Sequence, residues 1–136
     1  MSGAYLDASA LVKLVMVERE TAALRAFLVH HPSRFTNRVA VVEVARAVSR
    51  QPVGGDPPVG GDPPVGDAFH GLEILELDEE LGVRAAQVGR AGLRSLDAIH
   101  LASALTLGDE LDAFVTYDAR QADAARAAGL TVESPA

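Results

Sequence analysis

The sequence contains no cysteine among its 136 residues. This absence excludes a disulfide scaffold, an iron–sulfur cluster, a zinc site built from thiolates and a cysteine nucleophile. A metal ion bound to this chain would therefore need oxygen or imidazole ligands. Nor is there an excess of positive charge, because the net charge is −7. A nucleic-acid binder usually shows a basic patch or stripe, which the total charge of this chain does not advertise.

Lysine is nearly absent too, because Lys13 is the only lysine in the chain. Phosphatases with an aspartyl nucleophile and phospho-receiver domains both use a lysine late in the chain, so neither class fits. The phosphatase would also need a second acid two residues after Asp7, where Ser9 stands. A phosphate-binding loop is excluded as well, because no glycine-rich segment continues into G-K-[ST].

Long hydrophobic runs are missing from the sequence. No segment approaches the roughly 18 to 20 apolar residues that a membrane-spanning helix needs. The first residues, MSGAYLDAS, lack the basic and apolar regions of a secretion signal. We therefore expect a cytoplasmic protein without a membrane partner.

What the sequence does contain is a regular alternation of strands and helices. The sequence pattern predicts short strands at residues 4–7, 35–37, 74–77, 113–117 and 130–132. Apolar spacing predicts helices at 10–18, 21–31, 38–51, 79–91, 96–107 and 119–128, with Ser9 and Ser95 as N-caps and Gly108 and Gly129 as stops. This alternation predicts an α/β fold with a parallel sheet of about five strands and helices on both faces. The length predicts a single domain over residues 1–136.

One segment interrupts the alternation. Residues 52–66 read PVGGDPPVGGDPPVG, which gives the unit PVGGDP twice and begins it a third time. Proline removes hydrogen-bond donors, glycine adds backbone entropy, and each unit offers a single valine for packing. We therefore expect an inserted loop, interpreted as a tolerated duplication rather than as a binding arm.

Four carboxylates stand out by their position in this pattern. Asp7 and Asp118 each follow a predicted strand, and the carboxyl ends of parallel strands open at one edge, where ligands bind. Asp97 lies in the first turn of a predicted helix, and Glu43 interrupts the apolar run VAVVEV. If all four meet, they repel one another, and a divalent cation such as Mg²⁺ or Mn²⁺ would stabilise the ionised cluster.

Three of these acids also have a purely structural interpretation. Asp7 together with Ser9 fits a turn and helix cap, and Asp118 fits a cap for the helix that follows it. Asp97 fits a simple partner of the helix dipole. The residues alone leave both interpretations open.

Glu43 and His100 have competing local explanations of their own. Arg46 at i+3 and Arg50 at i+7 favour a solvated helix face on which Glu43 forms an ion pair. His100 lies at i+3 from Asp97, which is a possible spacing for two metal ligands. A helix histidine bonded to a neighbouring side chain is nevertheless the favoured interpretation of His100.

The segments around the four acids resemble PIN domains and, within that family, the VapC-type toxins of bacterial toxin–antitoxin pairs. The matching segments are YLDASALVKL at Asp7, VEVARAV at Glu43, LRSLDAIHLASAL at Asp97 and FVTYDARQADAARAAGL at Asp118. With the intervening helices they cover nearly the whole chain except the repeat. The resemblance implies a PIN-like three-layer sandwich with a parallel sheet of about five strands.

The resemblance also implies an activity, that of a Mg²⁺-dependent endoribonuclease acting as a type II toxin. Mg²⁺ or Mn²⁺ would be held by the four acids and would activate water for attack on an RNA phosphodiester. The family position matching Asp118 is the most variable of the four. Ser9 and Thr116 would orient ligands or water. The alternative is a PIN-fold protein that binds a partner or acts in RNA maturation outside a toxin pair.

Partners are implied by the resemblance as well, namely RNA, a VapB-type antitoxin and a second copy in a homodimer. The candidates for phosphate contact are Arg38, Arg46, Arg50 and Arg94. An antitoxin segment would occupy a groove beside the first helix, whose apolar residues exceed one core-facing stripe: Leu11, Val12, Leu14, Val15, Met16 and Val17. The alternative is a first helix buried on two sides by its own neighbours.

Overall fold

The computed structural model describes residues 3–50, 65–89 and 92–136, so residues 52–64 of the expected loop lie outside the described residues. The strands are β1 (Gly3–Leu6), β2 (Ser33–Asn37), β3 (Glu73–Leu75), β4 (Ala113–Val115) and β5 (Val132–Glu133). They form one five-stranded sheet in the order β3-β2-β1-β4-β5. Every neighbouring pair is parallel, which confirms the predicted α/β class.

Helices connect these strands in chain order. They are α1 (Ala8–Val15), α2 (Thr21–Val29), α3 (Val39–Ser49), α4 (Val65–Ala68), α5 (Glu79–Gln87), α6 (Ser95–Leu107) and α7 (Ala119–Ala127). Helix α4 corrects the expected loop, because Val65 and Gly66 begin a short helix instead of ending an unstructured segment. Across the described ranges, no helix is long and apolar enough to cross a membrane.

The two faces of the sheet are buried against different helices. Successive residues of a strand point to opposite faces. Ala4, Leu6 and Val115 pack with α1, α2 and α3, while Tyr5 and Phe114 pack with α6 and α7. The Tyr5 and Phe114 rings stack with their centroids 5.4 Å apart. Helices therefore cover both faces, as the continuous apolar runs of parallel strands require.

Both predicted serine caps are wrong. The N-cap of α1 is Asp7, whose side chain accepts a hydrogen bond from the Ala10 backbone N–H, because the chain passes directly from β1 into the helix. The N-cap of α6 is Arg94, whose extended backbone (ψ 155°) places Ser95 already inside the helix.

The predicted glycine stops are confirmed. Gly108 (φ 53°) ends α6, and Gly129 (φ 92°) follows the last turn of α7. At the end of α7 the Gly129 N–H donates to the Arg126 carbonyl and the Leu130 N–H to the Ala125 carbonyl. This pair of bonds is a Schellman motif, which needs the left-handed backbone that glycine adopts at little cost.

Helix α1 is covered by its own neighbours. It contacts α2, α3 and α4. Val12 and Val15 are half-buried and pack against the core cluster rather than lying on a free face. Val17, which is 80% exposed, lies beyond the end of the helix. The structure thus favours the alternative in which the apolar surface of α1 serves the core.

Gly3 allows the first strand to lie close to the chain before β4. A Cβ atom on Gly3 would lie 2.1 Å from the backbone carbonyl oxygen of Glu110.

We expect Gly3→Ala to lower the free energy of unfolding by about 1–3 kcal/mol, because the backbone must shift to relieve this overlap. Gly82→Ala is the matched control, because Gly82 lies inside α5 with open space around it. It should raise the free energy of unfolding by about 0.5–1 kcal/mol. Urea denaturation measures both effects, and a Gly3→Ala variant as stable as the parent would contradict this packing.

Candidate active site

The strand order reverses direction between β1 and β4. From β1 the chain moves outward to β2 and β3, and it then returns to the other side of β1 to form β4. In open parallel sheets, ligands bind in the crevice outside the strand ends at such a reversal. Asp7 follows β1 directly and Thr116 follows β4 directly, so both residues lie at this crevice.

Asp7 is buried and firmly held. The residue is only 4% exposed. Oδ1 accepts hydrogen bonds from Ser9 Oγ at 2.6 Å and from the Ala10 N–H at 3.2 Å, and Oδ2 accepts one from Thr116 Oγ1 at 2.5 Å. Burial raises the pKa of Asp7, while the bonds from Ser9 and Thr116 oppose that rise. The two polar residues singled out in the sequence thus lie directly against this carboxylate.

All four acids singled out in the sequence line one cavity of about 270 Å³ at this crevice. Asp7 comes from the end of β1, Glu43 from α3, Asp97 from α6 and Asp118 from the start of α7. Ser9, Arg94, Leu96 and His100 complete most of the lining. Four separate elements of the fold therefore bring acidic side chains to a common space.

Electrostatic repulsion within this cluster acts on Asp97. The pKa of Asp97 is raised, first by burial and then by the negative charges of Asp118 and Asp7. Asp118 is exposed and is also the N-cap of α7, accepting hydrogen bonds from the backbone N–H groups of Arg120 and Gln121. The structural interpretation of Asp118 as a cap therefore holds together with its place in the cavity.

Glu43 pairs with a histidine instead of the arginines on its own helix. Glu43 Oε1 lies 2.6 Å from His100 Nε2, which corrects the interpretation of Glu43 as one half of an exposed ion pair with Arg46 or Arg50. His100 is 1% exposed, and its Nδ1 lies 2.7 Å from the Tyr5 hydroxyl. The prediction of a helix histidine bonded to a neighbour is confirmed.

The four arginines proposed for phosphate contact lie in different surroundings. Arg94 lines the acidic cavity. Arg38 forms an exposed ion pair with Glu76, with 2.5 Å between its Nη2 and Oε1 of the acid. Arg46 lies in the last turn of α3 and Arg50 directly after it, and both are exposed. Of these arginines, the structure brings Arg94 to the lining of the cavity.

The donor atoms of the cavity suit a hard divalent cation. Mg²⁺ and Mn²⁺ prefer carboxylate oxygens, and the cavity offers four carboxylates. Within the described ranges, however, no three acidic or histidine side chains are grouped closely enough to hold one ion. Asp7, Glu43 and Asp118 each accept a hydrogen bond from another group of the protein. Holding one ion would require at least some of the carboxylates in the cavity to come closer together.

Comparison with known proteins identifies the fold. The sequence model of the PIN domain family matches residues 4–127. This chain belongs to the PIN domain family. The PIN domain is 41% identical to Ribonuclease VapC47 of Mycobacterium tuberculosis over 135 residues, which cover 96% of each chain. It is 37% identical to Ribonuclease VapC46 of the same species, with 99% of each chain covered.

A solved structure shows the same fold. The crystal structure of VapC20 from Mycobacterium tuberculosis, described as a Sarcin-Ricin loop cleaving toxin, matches with a TM-score of 0.70. The match covers 97% of this chain and 99% of that chain at 15% sequence identity. The three-layer arrangement expected from the sequence is therefore confirmed for this PIN domain.

Gln121 supports the site without having been singled out in the sequence. It is fully buried, its Nε2 donates to the Asp97 carbonyl at 2.9 Å, and its backbone N–H donates to Asp118 Oδ1 at 3.1 Å. Its Oε1 has no hydrogen-bond partner among the described residues. A glutamine three residues after an acidic N-cap predicts a local capping box. In this PIN domain the side chain instead ties α7 to the start of α6.

Tyr5 is the second residue of this kind. It lies two residues before Asp7, so strand alternation could have placed both side chains on one face of β1. Its link to the cavity runs through His100, which is 95 residues away in the sequence. No local pattern reports a contact over that separation.

Removing one carboxylate from the cluster should stabilise the metal-free protein. Because the pKa of Asp97 is raised in the folded state, its ionised form lowers stability at neutral pH. We expect Asp97→Asn to have a higher Tm than the parent in EDTA at pH 7. The difference should shrink as the pH falls and the carboxyl becomes protonated in both folded and unfolded states. Thermal unfolding between pH 3 and pH 8 measures it.

Asp123→Asn is the control for this prediction, because the Asp123 side chain is 83% exposed on α7 and lies outside the cavity lining. It should leave the Tm nearly unchanged. An Asp97→Asn variant less stable than the parent in EDTA at pH 7 would contradict the repulsion described above.

Proposed function

We propose that this PIN domain is the ribonuclease toxin of a toxin–antitoxin pair and that it hydrolyses RNA with the help of Mg²⁺ or Mn²⁺. The observation that supports this proposal is the convergence of Asp7, Glu43, Asp97 and Asp118 on one cavity at the strand ends. The relatives named ribonuclease VapC, similar over nearly the whole chain, support the same activity.

The four acids would hold one or two cations, and the bound cation would supply an activated water and charge stabilisation for attack on a phosphodiester. Asp7 is the fixed member of the set, because Ser9, Ala10 and Thr116 hold both of its oxygens. Asp97 and Asp118 stand at the starts of α6 and α7, which Gln121 ties together. The products would be RNA ends with a 5′-phosphate and a 3′-hydroxyl.

RNA contact would come from arginines close to the cavity. Arg94 is the leading candidate, because it lines the same cavity as the four acids. Arg46 and Arg50 are exposed at the C-terminal end of α3, the helix that carries Glu43, and would contact the RNA backbone there, whereas Arg38 is already paired with Glu76. With a net charge of −7, the chain as a whole repels RNA, so binding depends on such local positive charges.

The protein partners of this toxin would be a VapB-type antitoxin and a second copy of the chain in a homodimer. Val12 and Val15 of α1 are half-buried and pack against the core, so they are weaker candidates for the antitoxin contact. Leu96 lines the acidic cavity and is 45% exposed, so it offers an apolar contact at the cavity itself. An antitoxin that covers Leu96 would also block the acids.

RNA cleavage by charge-neutralised variants tests this proposal. Loss of an outer-shell partner of a metal typically costs roughly 10- to 100-fold. Because Asp7 and Asp97 would bind the metal directly, we expect Asp7→Asn and Asp97→Asn to lower the cleavage rate by more than this. Each substitution removes a ligand charge while keeping the side-chain volume. EDTA should abolish cleavage by the parent protein, and added Mg²⁺ should restore it. Sequencing of the RNA ends formed during induced expression identifies the cut sites and the 5′-phosphate.

Asp123→Asn is again the control and should cleave like the parent. Full activity of a folded Asp97→Asn variant, or cleavage by the parent in EDTA, would contradict the metal mechanism. A folded parent protein that binds a partner but cleaves no cellular RNA would favour the alternative of a PIN-fold binding protein.

A further inference from the structure

A chain of hydrogen bonds runs from the protein core to the acidic cavity. It begins at the Tyr5 hydroxyl, which lies 2.7 Å from His100 Nδ1, and continues from His100 Nε2 over 2.6 Å to Glu43 Oε1. Tyr5 is fully buried and His100 is 1% exposed, whereas the Glu43 side chain is 21% exposed. The last of these hydrogen bonds therefore reaches Glu43, the acid that enters the cavity from α3.

The direction of these hydrogen bonds follows from the chemistry of the groups. A carboxylate offers only acceptor atoms, so the imidazole nitrogen facing Glu43 carries the hydrogen and donates. Burial raises the pKa of Tyr5 well above its ordinary value, so the phenol keeps its proton. The hydroxyl donates that proton to Nδ1, which is the free acceptor of a neutral imidazole. For a neutral imidazole this assigns the Nε2–H form to His100, in which both donors point toward Glu43.

These hydrogen bonds join elements that lie on opposite sides of the sheet. Glu43 belongs to α3, which packs on the same face as α1 and α2, while His100 belongs to α6 on the other face. Tyr5 is fixed by its stacking on Phe114 and by an edge contact with the His100 ring, whose centroid lies 5.8 Å away. The bond from His100 to Glu43 therefore anchors an α3 side chain to a rigid part of the opposite layer.

Glu43 needs such an anchor because its neighbours repel it. Burial is the main cause of the raised pKa of Asp97, and the negative charge of Glu43 adds to it, so the two carboxylates repel each other. A glutamate has several rotatable bonds, and an unanchored side chain would turn toward water, away from the other acids. Among the described residues, Oε2 of Glu43 has no hydrogen-bond partner, while Oε1 is held by His100.

We propose that Tyr5 and His100 are positioning residues that fix the Glu43 carboxylate in the orientation in which it serves as a cation ligand. His100 holds one oxygen and leaves the other for the ion, and Tyr5 holds His100 in the tautomer that donates. This role rests on the proposed function, since it needs a cation in the acidic cavity. Partners of this kind typically change metal affinity by about 10- to 100-fold in proteins.

Binding of Mn²⁺ to the folded protein, followed by electron paramagnetic resonance without RNA, tests this role. We expect His100→Gln to weaken Mn²⁺ binding about 10-fold. Tyr5→Phe, which keeps the ring, should weaken it about 2- to 10-fold, as expected for loss of one hydrogen bond. Circular dichroism verifies that each variant is folded. If His100→Gln does not fold, Tyr5→Phe carries the test alone.

Tyr117→Phe is the matched control for Tyr5→Phe. It also removes one phenol hydroxyl, which here donates to the Pro135 carbonyl at 2.7 Å, outside the chain to Glu43. Mn²⁺ affinity should not change in this variant. Imidazole ¹⁵N NMR of the metal-free protein should show the Nε2–H form of His100 in the parent and a mixture of tautomers in Tyr5→Phe.

A double-mutant cycle separates positioning from general support of the fold. In an Glu43→Ala background, His100→Gln should weaken Mn²⁺ binding no further, because its effect passes through Glu43. Additive losses, or His100→Gln and Tyr5→Phe variants that bind Mn²⁺ like the parent, would overturn the positioning role. Asp97→Asn distinguishes failure of the positioning role from failure of the proposed metal site. If it too binds Mn²⁺ like the parent, the proposed metal site itself is wrong and the positioning role fails with it.

Discussion

Burial of the Asp7 carboxylate at the end of the central strand is the constraint on which the site depends. A charged carboxylate inside a protein is unfavourable unless hydrogen bonds replace the water that it loses. Ser9, Ala10 and Thr116 supply those bonds, and they come from the first turn of α1 and from the end of β4. The same bonds therefore fix the carboxylate, the start of α1 and the spacing of two neighbouring strands.

The other acids are placed by the layers around that strand. Asp97 and Asp118 stand at the starts of α6 and α7, and Glu43 reaches the cavity from the opposite layer, where His100 meets it. The pKa of Asp97 is raised first by burial and then by the charges of Asp118 and Asp7, so repulsion within the cluster works against folding. The apolar packing on both faces of the sheet has to offset this repulsion. A site strained in this way is typical of a fold that gives up stability for a function.

Much of the fold was predictable because its signals are local. The alternation of short strands and helices predicted all five strands, and glycine stops predicted two helix ends. Strand ends predicted that Asp7 and Asp118 lie at one edge of the sheet, whereas the resemblance to PIN domains was needed to place Asp97 and Glu43 beside them. Both caps were mispredicted because each helix begins one or two residues earlier than expected, at Ala8 in α1 and at Ser95 in α6. The pairing of Glu43 with His100 spans 57 residues, whereas the arginine at i+3 offered a local and wrong partner.

We propose that the acidic cavity holds a divalent cation through Asp7, Glu43, Asp97 and Asp118. An anomalous difference map from crystals of the active protein soaked in Mn²⁺ examines this claim most directly. We expect a manganese peak inside the cavity, within coordination distance of the Asp7 and Asp97 carboxylates. Crystals of cleavage-competent protein that show no peak there at saturating Mn²⁺, or only a peak elsewhere, would contradict it.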